Sequence, residues 1–166
     1  HAIQKFKADH PFDPKSVTRI AIRGNERIME DRHSVRDVQS VMGGQYSLPF
    51  ATAVALTRDM SNPLVFNDEA VCDPVVRDLA QRVELIPIEG DSEVILEIDG
   101  QSHTLTTSPW KGSPKNPMTW EDATEKFSRY AGLVIDKGQV SEIIEAIGDL
   151  DHASDMADIA KLVGTN

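Results

Sequence analysis

The chain has 166 residues, 40% of them hydrophobic and 27% charged, which is ordinary for a globular protein and enough for one domain with a sizeable core. Its net charge of −10 argues against nucleic acid as a partner, since phosphate binding needs a basic surface, and no apolar run is long enough for a membrane helix. There is no signal-peptide pattern, and the single cysteine, Cys72, excludes an internal disulfide and fits a reducing, cytoplasmic setting.

Residues His1 to Asp9 place Ile3 and Phe6 on one side, as at the end of an amphipathic helix, and Pro11 and Pro14 close it. Ser16 to Arg23 alternates, with Ile20 and Ile22 on one face and Arg19 and Arg23 on the other, the pattern of a strand with one wet face. Gly24-Asn25 ends it. The following stretch to Gly43 is charged and irregular, and a connection of that length is either functional or held by a neighbour. Gly43-Gly44 is too little for a phosphate loop and is expected to give the chain freedom to enter the next element.

That element is the centre of the chain. From Ser47 to Leu56 no residue is charged, Ser47 is a good N-cap and Pro49 falls in the first turn, so the spacing predicts a helix that is buried on most sides. Two readings stand for it: a central packing helix, or a helix whose polar mouth, Gln45-Tyr46-Ser47, faces an anionic ligand.

Asp73-Pro74 supplies an N-cap and N1 proline for a helix to about Arg82, and Val83 to Ile88 reads as a strand. Glu93 to Asp99 alternates, with Val94, Leu96 and Ile98 inward; Asp99-Gly100 is a hairpin turn, and Gln101 to Thr107 returns. Ser108 to Met118, with three prolines and a glycine, is a loop. Thr119 with Asp122 opens a helix that Gly132 stops. Two amphipathic helices follow, one with Val140, Ile143, Ile144 and Ile147 on a face, the other with Met156, Ile159 and Val163. The expected class is α+β: a small antiparallel sheet with helices on one face, a two-layer sandwich, over residues 1–118, then C-terminal helices over 119–166.

Charge is unevenly spread. Residues 1–60 hold nine Lys/Arg against seven Asp/Glu, whereas 61–120 and 121–166 each hold four against ten. A solvated basic face is the usual reason for such a bias; a polycarboxylate held near the first third is the functional one. No metal motif is present, as neither His10 with Asp9 and Asp13 nor Asp31 with His33 has a further ligand at metal spacing. Ser47 lacks a nucleophile elbow and reads as a cap.

The run Gln45-Tyr46-Ser47-Leu48-Pro49-Phe50, Asp73-Pro74-Val75-Val76 with Leu79-Ala80, Gly112-Ser113-Pro114-Lys115-Asn116-Pro117 before Glu125-Lys126-Phe127, and the opening His1-Ala2-Ile3 together resemble, in order and spacing, the C-terminal part of the MmgE/PrpD family of 2-methylcitrate dehydratases, cis-aconitate decarboxylases and iminodisuccinate epimerases. The resemblance implies a lyase or isomerase acting on a small di- or tricarboxylate without metal or organic cofactor. It also implies a missing N-terminal helical domain that receives the helices after 119, and a homodimer. Carried over by residue, His1 is the catalytic candidate, and Gln45, Ser47 and Phe50 are substrate-binding candidates, with Phe50 standing where many members have a tyrosine. The rival expectation is a binding or dimerisation module with no chemistry of its own.

Overall fold

A computed structural model of the chain describes residues 1–107 and 109–164; Ser108, expected in the proline-rich loop, and Thr165 and Asn166, in the last predicted segment, lie outside the described residues. The chain forms two compact units, His1–Ser108 and Pro109–Asn166. The residues just before the expected boundary at 118/119 group with the helices that follow them.

In the first unit, helix α1 (Ala2–Asp9) leads to strand β1 (Val17–Gly24), and a series of short helices follows: α2 (Asp31–Ser34), α3 (Val41–Tyr46), α4 (Leu48–Thr57), α5 (Asp68–Cys72) and α6 (Pro74–Gln81). Strands β2 (Val83–Pro87), β3 (Glu93–Ile98) and β4 (Gln101–Thr106) complete a sheet of order β2-β1-β3-β4. The α+β class holds. The sheet is mixed rather than wholly antiparallel: β1 pairs with β2 in parallel, Ile20 opposite Val83 and Ile22 opposite Leu85, while β3 and β4 run antiparallel. The reason is the connection. A tight turn joins β3 to β4, with Asp99 at φ 50° and Gly100 at φ 77°, the left-handed pair that a two-residue hairpin requires. Between β1 and β2 lie five helices, α2 to α6, and such a crossover returns the chain to the end where it started.

The alternation read in β1 and β3 is what divides the sheet into a dry and a wet face. Ile20, Ile22, Val94, Leu96 and Ile98 join one buried cluster with Phe50, Val54 and Leu56 of α4 and Val76 and Leu79 of α6. On the other face, Arg19 pairs with Glu84 at 2.7 Å and Glu97 at 3.3 Å, and Arg23 with Glu93 at 2.9 Å, linking three strands. The hydrogen bond from Arg19 holds the Glu84 carboxyl below the usual carboxylate range. Such exposed pairs set register more than stability.

Helix α4 is buried at seven of its ten positions, which explains its lack of any polar stripe. Its C-terminal carbonyls are closed from α1: Gln4 Nε2 donates to the Ala55 and Arg58 carbonyls at 2.7 and 3.1 Å, and Lys7 Nζ to the same two at 3.1 Å. A cation at that helix end is favourable. Burial nevertheless pushes the Lys7 ammonium down, with Asp59 opposing the shift.

The expectation for Gly43-Gly44 is corrected. Both lie inside α3 and neither is among the glycines with positive φ. Gly44 is required by close approach instead: a Cβ there would stand 2.7 Å from Phe50 Cε1 and 2.8 Å from Cδ1. Helix α3, with two glycines in six residues, has little intrinsic propensity, and the Ser40 cap and this packing hold it.

In the second unit, α7 (Trp120–Ala131), α8 (Lys137–Gly148) and α9 (Met156–Val163) are helical as expected. The Thr119–Asp122 capping box is complete in both directions. Val140, Ile143 and Ile159 are buried within the unit, whereas Ile147, Met156 and Val163 of the same stripes are exposed.

Candidate functional site

The loop that leaves β1 turns through a single 3-10 segment, Glu26–Met29, whose start is held by Asn25 Oδ1 accepting from the Arg27 amide at 3.0 Å. Its far half is tied to the fold by two arginines. Arg36 donates twice to the Val83 carbonyl, at 3.2 and 2.8 Å, and Arg77 of α6 pairs with Asp37. The long charged connection is thus held by its neighbours, and its first half faces the junction of α3 and α4. Between them is a cleft of about 380 Å³ lined by Asn25, Arg27, His33, Gln45, Ser47 and Leu48, among others.

Ser47 ends α3 and caps α4. Its hydroxyl accepts from the Phe50 amide at 3.0 Å and donates to the Val35 carbonyl, and the residue is 1% exposed. Its proton is therefore committed, and its role in the cleft wall is to set the geometry of the turn. The helix mouth offers less than a free helix end. Pro49 has no N–H and the Phe50 amide is used by Ser47, so of these first-turn positions Leu48 carries the amide that remains to donate. Gln45 is exposed on the same rim and can donate or accept.

His33 enters the site by tertiary packing. Its Nδ1 lies 3.1 Å from the Tyr46 carbonyl, which can only accept, so Nδ1 carries the proton and Nε2 is the nitrogen left to take or give one. Glu30 Oε2 stands 3.8 Å from that Nε2. The sequence had offered His33 only as half of a metal pair with Asp31. Among the described residues no group of three or more His, Cys, Asp or Glu is arranged to hold a metal ion.

The other predicted residues lie elsewhere. Phe50 is 1% exposed and stands in the core, its ring centroid 6.4 Å from that of Phe66, and it is not among the residues lining the cleft. His1 is an exposed N-cap of α1 without a side-chain capping bond, and it too is outside the lining. The structure thus brings Gln45 and Ser47 together and adds Arg27 and His33. The signal for these two was the long charged connection itself, with arginines and a histidine after a strand, but nothing local distinguishes Arg27 and His33 from Arg32 or Arg36 beside them.

The arrangement combines a group able to move a proton, His33, with donors able to hold an anion, Arg27, Gln45 and the Leu48 amide. That is equipment for acid–base work beside a bound anion. No helix among the described residues is long and apolar enough to cross a membrane. The family model for the MmgE/PrpD C-terminal domain matches residues 1–152. None of the curated proteins compared with the chain matches it.

Proposed function

Because the chain belongs to the MmgE/PrpD family, as its C-terminal domain, we propose that it is part of a cofactor-independent lyase or isomerase acting on a small di- or tricarboxylate. The observation that carries this reading is the cleft at the start of α4, where His33 Nε2, 3.8 Å from Glu30 Oε2, is the ring nitrogen available for proton transfer near the donors Gln45 and Leu48. Proton abstraction next to a carboxylate needs a base and donors that hold the acid, and both line this one cleft. His1 would contribute a second proton-transfer group from the N-terminus of α1, across an interface with the helical domain that precedes it in the longer enzyme.

The test is a screen of the chain joined to its helical domain against citrate-like and succinate-like acids, read as loss of water, loss of carbon dioxide or loss of optical rotation. Turnover of one of these acids is expected. Replacing His1 with Ala or Gln in that protein should lower turnover by about a hundredfold or more, the usual contribution of a general acid or base. Turnover within a few-fold of the unmodified enzyme removes His1 from the mechanism. Inertness of the joined protein toward every acid defeats the enzymatic reading altogether.

A second reading is that the chain alone acts as a binding or dimerisation module. The exposed apolar side chains of the second unit favour it: Leu133, Val134 and Ile147 are exposed, Val134 at 77%, and Trp120, Phe127 and Ile144 line an apolar groove between α7 and α8.

A further inference from the structure

Eight of the nine arginine side chains engage a carboxylate or a backbone carbonyl, from Arg19 on Glu84 to Arg36 on the Val83 carbonyl. Arg27 is the ninth. Among the described residues its guanidinium has no hydrogen-bond or ion-pair partner, in a chain with ten more acidic than basic residues. It also stands at a junction. Arg27 and Asn25 line both the cleft with His33 and Gln45 and a neighbouring groove of about 480 Å³, whose other walls are Glu26, Ile88, Glu89 and Gly90. That groove exists because β1 and β2 are parallel: the loops after both strands emerge at one end, joined by the Ile88 amide donating to the Gly24 carbonyl at 2.6 Å. Glu26 and Glu89 form no ion pair among the described residues.

The polarity across this junction is therefore ordered: a proton-carrying and amide-bearing wall, an unspent planar cation, then two unspent carboxylates. A guanidinium presents paired donors that match a carboxylate edge to edge, and it remains charged throughout the accessible pH range. Like charges in the groove beyond it repel any further anion that reaches past the cation.

We propose that Arg27 anchors one carboxylate of the bound acid, and that Glu26 and Glu89 make the groove beyond it reject another. This rests on the carboxylate reading above and sharpens it. Arg27 becomes the specificity-determining residue, the body of the acid extends from it toward His33 and Gln45, and an acid whose third carboxylate must point into the groove is disfavoured against a simple dicarboxylate.

The test is amide NMR of the whole chain titrated with succinate, propane-1,2,3-tricarboxylate, succinamide and inorganic phosphate. Succinate is expected to shift the amides of residues 25–28 and 45–48, and succinamide to leave them in place. Arg27→Gln should weaken succinate by roughly tenfold or more, with Arg27→Lys between the two because an ammonium keeps the charge and loses the paired geometry. Glu89→Gln should improve the tricarboxylate more than it improves succinate. Arg27 is exposed, so its variants keep the fold, and the unshifted remainder of each spectrum verifies this. Succinate binding to Arg27→Gln at unchanged affinity overturns the anchor and leaves the carboxylate reading standing. Phosphate binding as well as succinate, with both lost in Arg27→Gln, keeps the anchor and overturns its selectivity for carboxylates. No shift of the cleft amides by either acid overturns both.

Discussion

Gly44 and Gly43 are neighbours in one short helix, and replacing each with alanine should move stability in opposite directions. In a helix interior, alanine is favoured over glycine by about 1 kcal/mol. At Gly43 an added Cβ meets Ser40 Oγ at 3.3 Å and Val38 Cγ1 at 3.7 Å, so the capping hydroxyl must give by a few tenths of an ångström and part of that gain remains. At Gly44 the new methyl stands 2.7 and 2.8 Å from two carbons of the Phe50 ring, well inside carbon–carbon contact distance, and that ring is 1% exposed and cannot swing out. Overpacking of this kind costs about 1–3 kcal/mol, and so tight a contact belongs in the upper half of that range, so Gly44→Ala should lose about 1–2 kcal/mol net. For a chain of this size that is a fall of about 2–8 °C in melting temperature. Both tryptophans, Trp110 and Trp120, belong to the second unit, so their fluorescence reports the wrong part of the molecule. Hydrogen exchange of the α4 amides under increasing urea reports the right one. Phe50→Leu, which makes room, should remove most of the penalty of Gly44→Ala when the two are combined, a coupling that independent sites do not show. Equal stabilisation by Gly43→Ala and Gly44→Ala would refute the packing argument and reduce Gly44 to a propensity defect.

Ser47→Ala removes the cap of α4 and leaves the Val35 carbonyl without its donor, so a loss of about 2–3 kcal/mol is expected in the same exchange experiment; a loss under half of that would mean water replaces the hydroxyl. Asp122 is held down to about 2 from an ordinary 3.8, first by its hydrogen bond with Lys111 and then by the Thr119 amide. Because its folded value is depressed, its support of α7 is complete above about pH 4 and is lost as pH falls through about 2, and Asp122→Asn should abolish that step. An NMR titration midpoint for Asp122 at the ordinary carboxylate value would refute this. At micromolar concentration the chain should sediment as more than a monomer, driven by the exposed apolar residues of α8, α9 and the Leu133-Val134 turn; a sharp monomer boundary would count against it.

What the sequence determined was whatever neighbours in the chain decide among themselves. The Ser47 and Asp73 caps, the Thr119–Asp122 box, the Asp99-Gly100 turn and the two faces of β1 and β3 all depend on residues within a few positions, and all are present. The charge-free run of α4 likewise declared its burial, because exposing it would cost apolar hydration at every turn. Tertiary structure decided the rest. Strand direction is not encoded in alternation, which reads the same for either orientation of β2, and only the route of the crossover makes it parallel to β1. Which way Phe50 points around a helix apolar on all sides depends on where a neighbour leaves space, and the missing Cβ of Gly44 provides it on the core side rather than at the cleft. The meeting of Arg27, His33 and Gln45 depends on tethers as remote as Arg36 on Val83 and Arg77 on Asp37. Such contacts span tens of residues, so their energy appears only once the chain has closed the loop, and no local pattern records it in advance.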